Sequence, residues 1–332
     1  MIDFTLTPEQ LALQQKARKF ALDEVLPVVN YFDEMDQFPL YLVKKAFDAG
    51  IINLSIPKKY GGQGLGLLEE ALAVEEIASA APDLGTSLFG NTLGEEPVMM
   101  SKNEVAKEKY LTDLAKNPKI IAFATSEPMM GSDVAGMRCK AEKDGNDYIL
   151  NGTKYWITNA GYADYISVFA SADPKSRHKG ICCFLVEKDY KGMTIGEHIP
   201  KMGQRCSNTV AVKFDHCRVP AENVLAEPGG EGFKLAMKTF ARTRPIIGAF
   251  AVGAARSAME FAIEYAKKRR AFDQKLAEFQ SIQFMIAEMY QKVETSRLLT
   301  WKAAWEADSG IDPTITASDR KSTRLNSSHR IR

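Results

Sequence analysis

The spacing of hydrophobic positions divides the chain into three stretches. Through the first stretch, apolar residues recur at every third or fourth position, which is typical of amphipathic helices. The first helix has a marked start, because Thr7, Pro8 and Gln10 follow the pattern of a capping box with proline in the first turn. Other helices are predicted over Pro39–Ala49, over Leu67–Ala80 and from Ser101 onward, where Glu104 completes a second capping pattern. Residues 1–118 are therefore predicted to form a helical domain.

From residue 119 the apolar positions alternate, which is typical of β-strands. Asn151-Gly152 accepts the positive φ angles of a type I′ turn, so Tyr148–Leu150 and Thr153–Thr158 are predicted to form a hairpin. Four further strands are predicted over Tyr165–Ala170, Gly180–Val186, Met193–Ile199 and Val210–Phe214. Short strands joined by polar turns indicate a small antiparallel sandwich or barrel over residues 119–226.

Helical periodicity returns in the third stretch, over Gly232–Arg269 and Leu276–Ala307. Pro245 is predicted to kink the first of these helices or to mark its first turn. Residues 227–310 therefore indicate a helical bundle, which we expect to be incomplete. Residues 311–332 are rich in serine and arginine and are predicted to be a non-native or disordered tail. The predicted fold class is α+β: an N-terminal helical domain, a central antiparallel β-sandwich or barrel and a C-terminal helical bundle.

Charge and composition exclude several classes of function. The chain has 43 basic and 42 acidic residues, so no global field favours nucleic acid as the main ligand. No apolar run approaches the length of a bilayer span and no targeting segment is present, so we expect a soluble protein without stable membrane insertion. Five cysteines without C-x-x-C spacing and four scattered histidines indicate reduced thiols and no metal site.

Two polar clusters at strand ends carry the candidate chemistry. In the first, the apolar run that ends at Ala124 breaks into a loop, in which Pro128 stops the strand and Gly131 allows close approach of a ligand. The second offers Trp156, a flat ring, beside hydroxyl and amide groups, which suits the packing of a planar heterocycle. A core position is the alternative for Trp156, because large aromatic side chains usually fill interiors.

Together the clusters resemble the T/S-E-P-x-x-G-S-D loop and the W-I-T/S-N segment of the acyl-CoA dehydrogenase family. The resemblance extends to Ile56-Pro-x-x-Tyr-Gly-Gly, Met202-Gly-Gln-Arg-Cys-Ser and Thr243-Arg-Pro, continues to Gly310, and is closest to the medium-chain type. It implies FAD-dependent α,β-dehydrogenation of an acyl-CoA thioester in fatty acid β-oxidation. It also implies that electrons pass to an electron-transfer flavoprotein.

The resemblance also implies roles for individual residues. FAD would contact Phe123, Thr125, Ser126, Gly131, Trp156 and Thr158 of one subunit and Arg269, Phe272 and Gln280 of a neighbouring subunit. The acyl-CoA would contact Ser132, Thr243 and Arg244. A shared cofactor implies an oligomer, which is a homotetramer in the family. The expected location is a bacterial cytoplasm, or a mitochondrial matrix if a targeting peptide was removed. Loop-stabilising hydroxyls and an ordinary exposed arginine are the alternative roles for these residues.

The chain departs from the family pattern in two ways that affect function. Met129-Met130 replaces a pair of small residues in the first loop, so the sequence does not determine the preferred length of the acyl chain. The general-base glutamate is expected beyond Gly310, and Thr243 and Arg244 occupy the positions where some relatives carry it instead. We therefore predict no catalytic residue, and no reduction of flavin by acyl-CoA, within these 332 residues.

Two other readings of the sequence stay open at this point. The first is a catalytically inactive fragment that binds flavin and acyl-CoA. The second is a nicotinamide-dependent oxidoreductase, prompted by Gly62-x-Gly64-x-Gly66, although a dinucleotide fingerprint needs a different spacing directly after a strand. Beside these glycines, Leu65 and Leu67 either dock an electron-transfer flavoprotein or are buried against the sheet.

Overall fold

A computed structural model describes residues 5–318, which belong to two compact units. Unit 1 lies within Met1–Val28, Gly66–Gly85 and Arg244–Arg332, and unit 2 comprises Val29–Leu65 and Thr86–Thr243. Each unit therefore combines segments that are distant in the sequence. The predicted division into consecutive domains at residues 118, 226 and 310 stays a prediction, and most of the predicted tail lies outside the described residues.

The described helices are numbered in chain order. They are α1 (Pro8–Phe20), α2 (Val29–Glu34), α3 (Leu40–Asp48), α4 (Leu67–Ala80), α5 (Pro82–Leu88), α6 (Gly90–Met100), α7 (Glu104–Ala106), α8 (Thr112–Lys116), α9 (Glu231–Lys268) and α10 (Gln280–Asp308). The capping box of α1 is confirmed, because Thr7 and Gln10 exchange hydrogen bonds between side chain and backbone. The predicted cap at Ser101 is wrong: the side chain of Asn103 accepts the Ala106 N–H at 3.0 Å and caps α7.

Helix α4 is buried on nearly all sides and is not the amphipathic helix that its sequence predicts. Its interior positions include Glu75 and Glu76, which are at most 2% exposed. Arg256 on α9 donates to both carboxylates at 2.7–3.1 Å, and Arg297 on α10 donates to Glu75 at 2.9 Å. The four charged groups compensate one another, which allows α4 to pass through the interior of unit 1.

The core of unit 2 is an eight-stranded, mainly antiparallel sheet. Its strands are β1 (Ile121–Ala124), β2 (Lys140–Asp144), β3 (Asp147–Thr158), β4 (Tyr165–Ser171), β5 (Ile181–Glu187), β6 (Met193–His198), β7 (Thr209–Val219) and β8 (Val224–Ala226). Their order is β6-β7-β3-β2-β4-β5-β8, and β1 pairs in parallel with β4. The predicted α+β class, with helices before and after a central sheet domain, is therefore confirmed.

The predicted hairpin at Asn151-Gly152 is wrong, because β3 runs through both residues without a turn. The turn lies earlier, at Gly145 and Asn146, where β2 and β3 pair in antiparallel register. Gly152 instead lies at a register shift between β3 and β7, with a φ of +149°. A Cβ atom at Gly152 would lie 2.9 Å from the Cys139 sulfur, so close packing within the sheet requires this glycine.

Helix α9 contains Pro245 in its interior and matches the predicted range to within one residue at each end. Its length and composition would suit a bilayer span, contrary to the expectation from the sequence. One such helix does not establish a membrane span, since the core helices of soluble proteins can have the same length and apolar composition. After α9, a short hairpin of β9 (Arg270–Ala271) and β10 (Gln274–Lys275) precedes α10. Among the apolar residues of α10 between positions 280 and 293, only Val293 is buried, and it packs with Val252 and Met259 of α9.

Candidate functional site

The first candidate segment begins where β1 ends at Ala124. The backbones of Glu127 and Met130 exchange two hydrogen bonds of 2.8 and 3.1 Å, which close a tight turn around Pro128 and Met129. Met129 is 81% exposed at the tip of this turn, whereas Met130 is buried. Only one of the two methionines that distinguish this loop is therefore directed toward solvent.

The second candidate segment follows an irregularity in β3. The register with β7 shifts between Lys154 and Ile157, and Trp156 in this bulge has a φ of +58°. The Trp156 side chain is 54% exposed, and its ring packs edge-on against Tyr155 at a centroid distance of 4.7 Å. A core position for Trp156 is therefore excluded. A positive φ is costly for a bulky residue and is typically retained where function requires it.

Hydrogen bonds hold the two segments together. The Tyr155 N–H donates to the Ser126 carbonyl at 2.9 Å, and the Lys154 amine donates to the Thr125 carbonyl at 3.0 Å. Thr158 follows on the same strand and is half-buried. The structure thus brings together the residues that the sequence places in separate clusters about 30 positions apart.

The remaining candidates of the first loop differ in exposure. Phe123 is half-buried and packs against the rings of Phe169 and Phe240 at 5.3 and 5.6 Å. Gly131 and Ser132 are exposed. Gly131 does not have a positive φ, and a Cβ atom there would meet no atom within 4 Å. Packing of the described protein does not require this glycine, and the adjacent space is open to a ligand.

The two candidates on α9 have different environments. Thr243 is buried, and its hydroxyl donates to the Thr239 carbonyl one turn earlier at 2.8 Å. Arg244 is half-buried, and its guanidinium has no hydrogen bond or ion pair with any described residue. A guanidinium without an internal partner is suited to an anionic ligand.

The three candidates that follow α9 lie around one hairpin in unit 1. Phe272 and Asp273 form its two-residue turn with φ angles of +50° and +60°, which correspond to type I′. Phe272 is 92% exposed. Arg269 is exposed, its side chain pairs with no described residue, and Gln280 begins α10. The turn accounts for the positive φ of Phe272, and it leaves the ring accessible to a ligand.

Burial suppresses cysteine chemistry in this structure. All five cysteines are buried, and none of them forms a disulfide bond with another. Burial raises the pKa of the Cys139 thiol to about 11; the Glu127 carboxylate also raises it, and the Lys154 amine opposes this effect. Burial likewise raises the pKa of Cys182 to about 12 and that of Cys217 to about 11. These thiols stay protonated at neutral pH, so they are poor nucleophiles.

The sequence reasoning missed the buried pair Lys154 and Glu127, which lies between the two segments. Lys154 has no exposed surface, and its amine lies 2.8 Å from a Glu127 carboxylate oxygen. The sequence offered only a partial signal: Lys154 shares its strand face with Tyr148 and Leu150, which suits an inward side chain, but the bulge after Lys154 breaks the alternation. Only the structure shows which group compensates the charge.

The glycine-rich segment before α4 is not a dinucleotide site. Residues 51–56, which precede it, form no strand, so the fingerprint lacks its required context. Gly61 and Gly64 have φ angles of +88° and +63°, which the turns of this loop require. Leu67 is fully buried, so a docking role for this residue is excluded, and Leu65 is half-buried.

Comparison with known proteins identifies one family over nearly the whole chain. Models of the N-terminal, middle and C-terminal domains of acyl-CoA dehydrogenase match residues 7–118, 122–217 and 230–323. A probable medium-chain specific acyl-CoA dehydrogenase of Caenorhabditis briggsae is 39% identical and is aligned over 98% of this chain and 80% of its own length. The short-chain specific acyl-CoA dehydrogenase of Clostridium acetobutylicum is 37% identical, over 96% of this chain and 84% of its own.

Solved structures agree with these matches. Butyryl-CoA dehydrogenase from Megasphaera elsdenii has a TM-score of 0.94 at 35% identity, covering 98% of this chain and 86% of that one. A structure from work on the electron transferring flavoprotein of Acidaminococcus fermentans has the same TM-score at 36% identity and the same coverage. PigA with FAD and proline has a TM-score of 0.91 at 28% identity, covering 98% and 85%. The chain therefore belongs to the acyl-CoA dehydrogenase family.

Proposed function

We propose that this protein binds FAD against the Thr125–Ser126 segment and Trp156, and that it takes part in α,β-dehydrogenation of an acyl-CoA thioester. The observation that carries the proposal is the half-exposed Trp156 ring on a strained backbone, directly after Tyr155, whose N–H donates to the Ser126 carbonyl. Electrons would pass to an electron-transfer flavoprotein. The similarity to a structure from work on such a flavoprotein supports this partner.

The residues of the site fit an isoalloxazine ring. Trp156 provides a planar surface for stacking. The hydroxyls of Ser126 and Thr158 provide hydrogen-bonding groups for the polar edge of the isoalloxazine ring. FAD, when bound, supplies the acceptor for the hydride that leaves the β-carbon of the substrate. In unit 2, the open space at Gly131 lets a ligand approach the backbone. On α9, the Arg244 guanidinium is suited to pair with an anionic group of the acyl-CoA.

A neighbouring subunit would complete the cofactor site. Arg269 presents a guanidinium suited to the FAD pyrophosphate, and the exposed Phe272 ring presents a surface for the adenosine part. Gln280 adds an amide at the start of α10. All three side chains are exposed, and we propose that they serve the site of another subunit in a homotetramer, as the resemblance to the family implies.

The second candidate function is binding of flavin and acyl-CoA without turnover. We propose that these 332 residues lack the general base, because Thr243 and Arg244 occupy the positions on α9 where some relatives carry a glutamate. The Thr243 hydroxyl donates to the backbone of its own helix, and a guanidinium does not accept a proton at neutral pH. The proposed binding function does not depend on this base.

Substitution of Thr158 tests the proposed cofactor site. Thr158→Val keeps the shape and the strand propensity but removes the hydrogen bond to the flavin, so the FAD dissociation constant should rise about 3- to 10-fold. Thr153→Val makes the same change on the same strand outside the site and should leave the affinity unchanged. Fluorescence titration with FAD measures both constants. Equal affinities of the two variants, or no FAD binding by the unmodified chain, would contradict the proposal.

A further inference from the structure

Lys154 is fully buried although it carries a charged amine, and it lies between the two segments proposed to hold FAD. Its amine donates to the Thr125 carbonyl at 3.0 Å and to a Glu127 carboxylate oxygen at 2.8 Å. Both acceptors belong to the loop after β1, whereas Lys154 belongs to β3. This side chain therefore ties the loop to the strand that carries Trp156.

Glu127 is also buried and closes the loop from its other end. Besides the Lys154 amine, its carboxylate accepts the backbone N–H groups of Arg138 at 2.8 Å and Cys139 at 2.9 Å. One carboxylate thus satisfies three donors from two different segments. The loop from residue 127 to residue 139 begins and ends at this carboxylate, which fixes both of its ends relative to β3.

The location of the pair matters more than its contribution to stability. Burial of a carboxylate and an ammonium group is costly, and apolar residues of similar volume often replace such a pair at no loss of stability. An apolar pair would not hold the Thr125 carbonyl, however. Ser126 lies between the two loop residues that Lys154 contacts, and its own carbonyl accepts the N–H of Tyr155, next to Trp156. The ion pair thus flanks the contact that brings the two segments together.

We propose that Lys154 and Glu127 are positioning residues of the flavin site. They fix the separation between Ser126 and the Trp156–Thr158 segment before the cofactor binds, so the cofactor does not have to order the loop. This inference rests on the proposed function, since it assumes that these segments hold FAD. With no exposed surface, Lys154 acts through the Thr125 carbonyl and not by contact with a ligand.

Three variants separate positioning from plain structural support. Lys154→Met and Glu127→Gln each bury one uncompensated charge, so each should lower the melting temperature by roughly 10 °C. Each should also raise the FAD dissociation constant about tenfold, because the loop is no longer fixed. The double variant K154M/E127Q buries no charge, and its glutamine oxygen can still accept one of the two N–H groups, which donate to different oxygens of Glu127. Its melting temperature should recover in part, while its FAD affinity and the visible circular dichroism of bound flavin should stay altered.

Tyr110→Phe provides the matched control for loss of a buried polar contact in the same unit. The Tyr110 hydroxyl lies 2.7 Å from a Glu187 carboxylate oxygen and 2.9 Å from the Asn223 side-chain oxygen, and it has no hydrogen bond to either of the two segments. This variant should lower the melting temperature without a change in FAD affinity or in the circular dichroism of the flavin.

The outcomes distinguish this inference from the proposed function. If the unmodified chain binds no FAD, the proposed function fails before any variant is made. If the unmodified chain binds FAD and K154M/E127Q binds it with the same affinity and the same circular dichroism, only the positioning role is overturned. The positioning role is also overturned if Lys154→Met and Glu127→Gln lower the melting temperature without a change in FAD affinity, as Tyr110→Phe should. The double variant keeps the test decisive if a single variant does not fold.

Discussion

The Trp156 side chain is exposed and its backbone is strained, and a tryptophan in a hydrophobic core requires neither feature. The sequence placed this ring beside hydroxyl and amide groups but left a core position open, since residue type alone does not reveal exposure. The bulge in β3 decides between the two, because it gives Trp156 a φ of +58° and leaves its ring 54% exposed. The role of Lys154 was missed for a related reason: the groups that compensate a buried charge come from another segment.

At the residue scale, the Cys139 thiol predicts a loss of stability at alkaline pH. Its pKa is raised from 9.0 to about 11 in the folded state, chiefly by burial, so the folded protein retains the proton longer than the unfolded chain. This stabilisation is complete below about pH 9 and disappears as the pH rises through about 11, a loss of about 2 to 3 kcal/mol. Cys139→Ala should reduce the decline in unfolding free energy between pH 8 and pH 11. Urea titrations across this range measure the decline, and an unchanged slope would contradict the assignment.

At the scale of elements, the boundaries of α3, α4 and most strands follow the hydrophobic pattern to within a few residues. The hairpin failed because Asn-Gly is a local signal, whereas the fit of Gly152 against Cys139 depends on a contact with another part of the chain. The prediction that α4 has a solvent-exposed face was wrong for the same reason. Its glutamates predict a solvated face, and only the arginines on α9 and α10 show why that face is buried.

Two glycines of the β2–β3 region should respond differently to substitution. Gly152→Ala places a Cβ atom 2.7–2.9 Å from atoms of Cys139, so overpacking and an unfavourable φ should together cost about 2 to 4 kcal/mol of unfolding free energy. Gly145→Ala is the control: its φ is +64° but its Cβ atom would meet open space, so the cost should be only about 1 to 2 kcal/mol. Urea unfolding of both variants measures the difference. A loss for Gly152→Ala no larger than that for Gly145→Ala would contradict the close packing of Gly152 against Cys139.

At the scale of the whole molecule, the order of helices, sheet and helices was predictable because each stretch has its own periodicity. The two compact units were not predictable from the sequence, because each unit joins segments that are far apart in the chain. Unit 1, for example, joins Gly66–Gly85 to the region after Arg244. Such contacts depend on which buried surfaces match, and hydrophobic periodicity does not encode the partner of a helix.

The proposed sharing of FAD between subunits predicts a specific role for Arg269. Arg269→Ala should raise the FAD dissociation constant about tenfold, because it removes hydrogen bonds to a charged pyrophosphate group. Lys268→Ala removes the same formal charge from the adjacent exposed position and should change the affinity much less. FAD titrations at several protein concentrations should also show tighter binding where the chain is oligomeric. Equal effects of the two substitutions would mean that only net charge matters.

The most direct test of the central claim is the visible absorbance of the purified, FAD-loaded chain during anaerobic addition of an acyl-CoA. We predict that FAD is retained and that the acyl-CoA shifts its absorbance bands, because the thioester binds beside the flavin near Trp156. We also predict no bleaching, because we propose that these 332 residues include no general base for the acyl-CoA. Bleaching would contradict the proposed absence of a general base, but it would agree with the proposed flavin site. A chain that retains no FAD, or whose flavin bands do not respond to any acyl-CoA, would contradict the account.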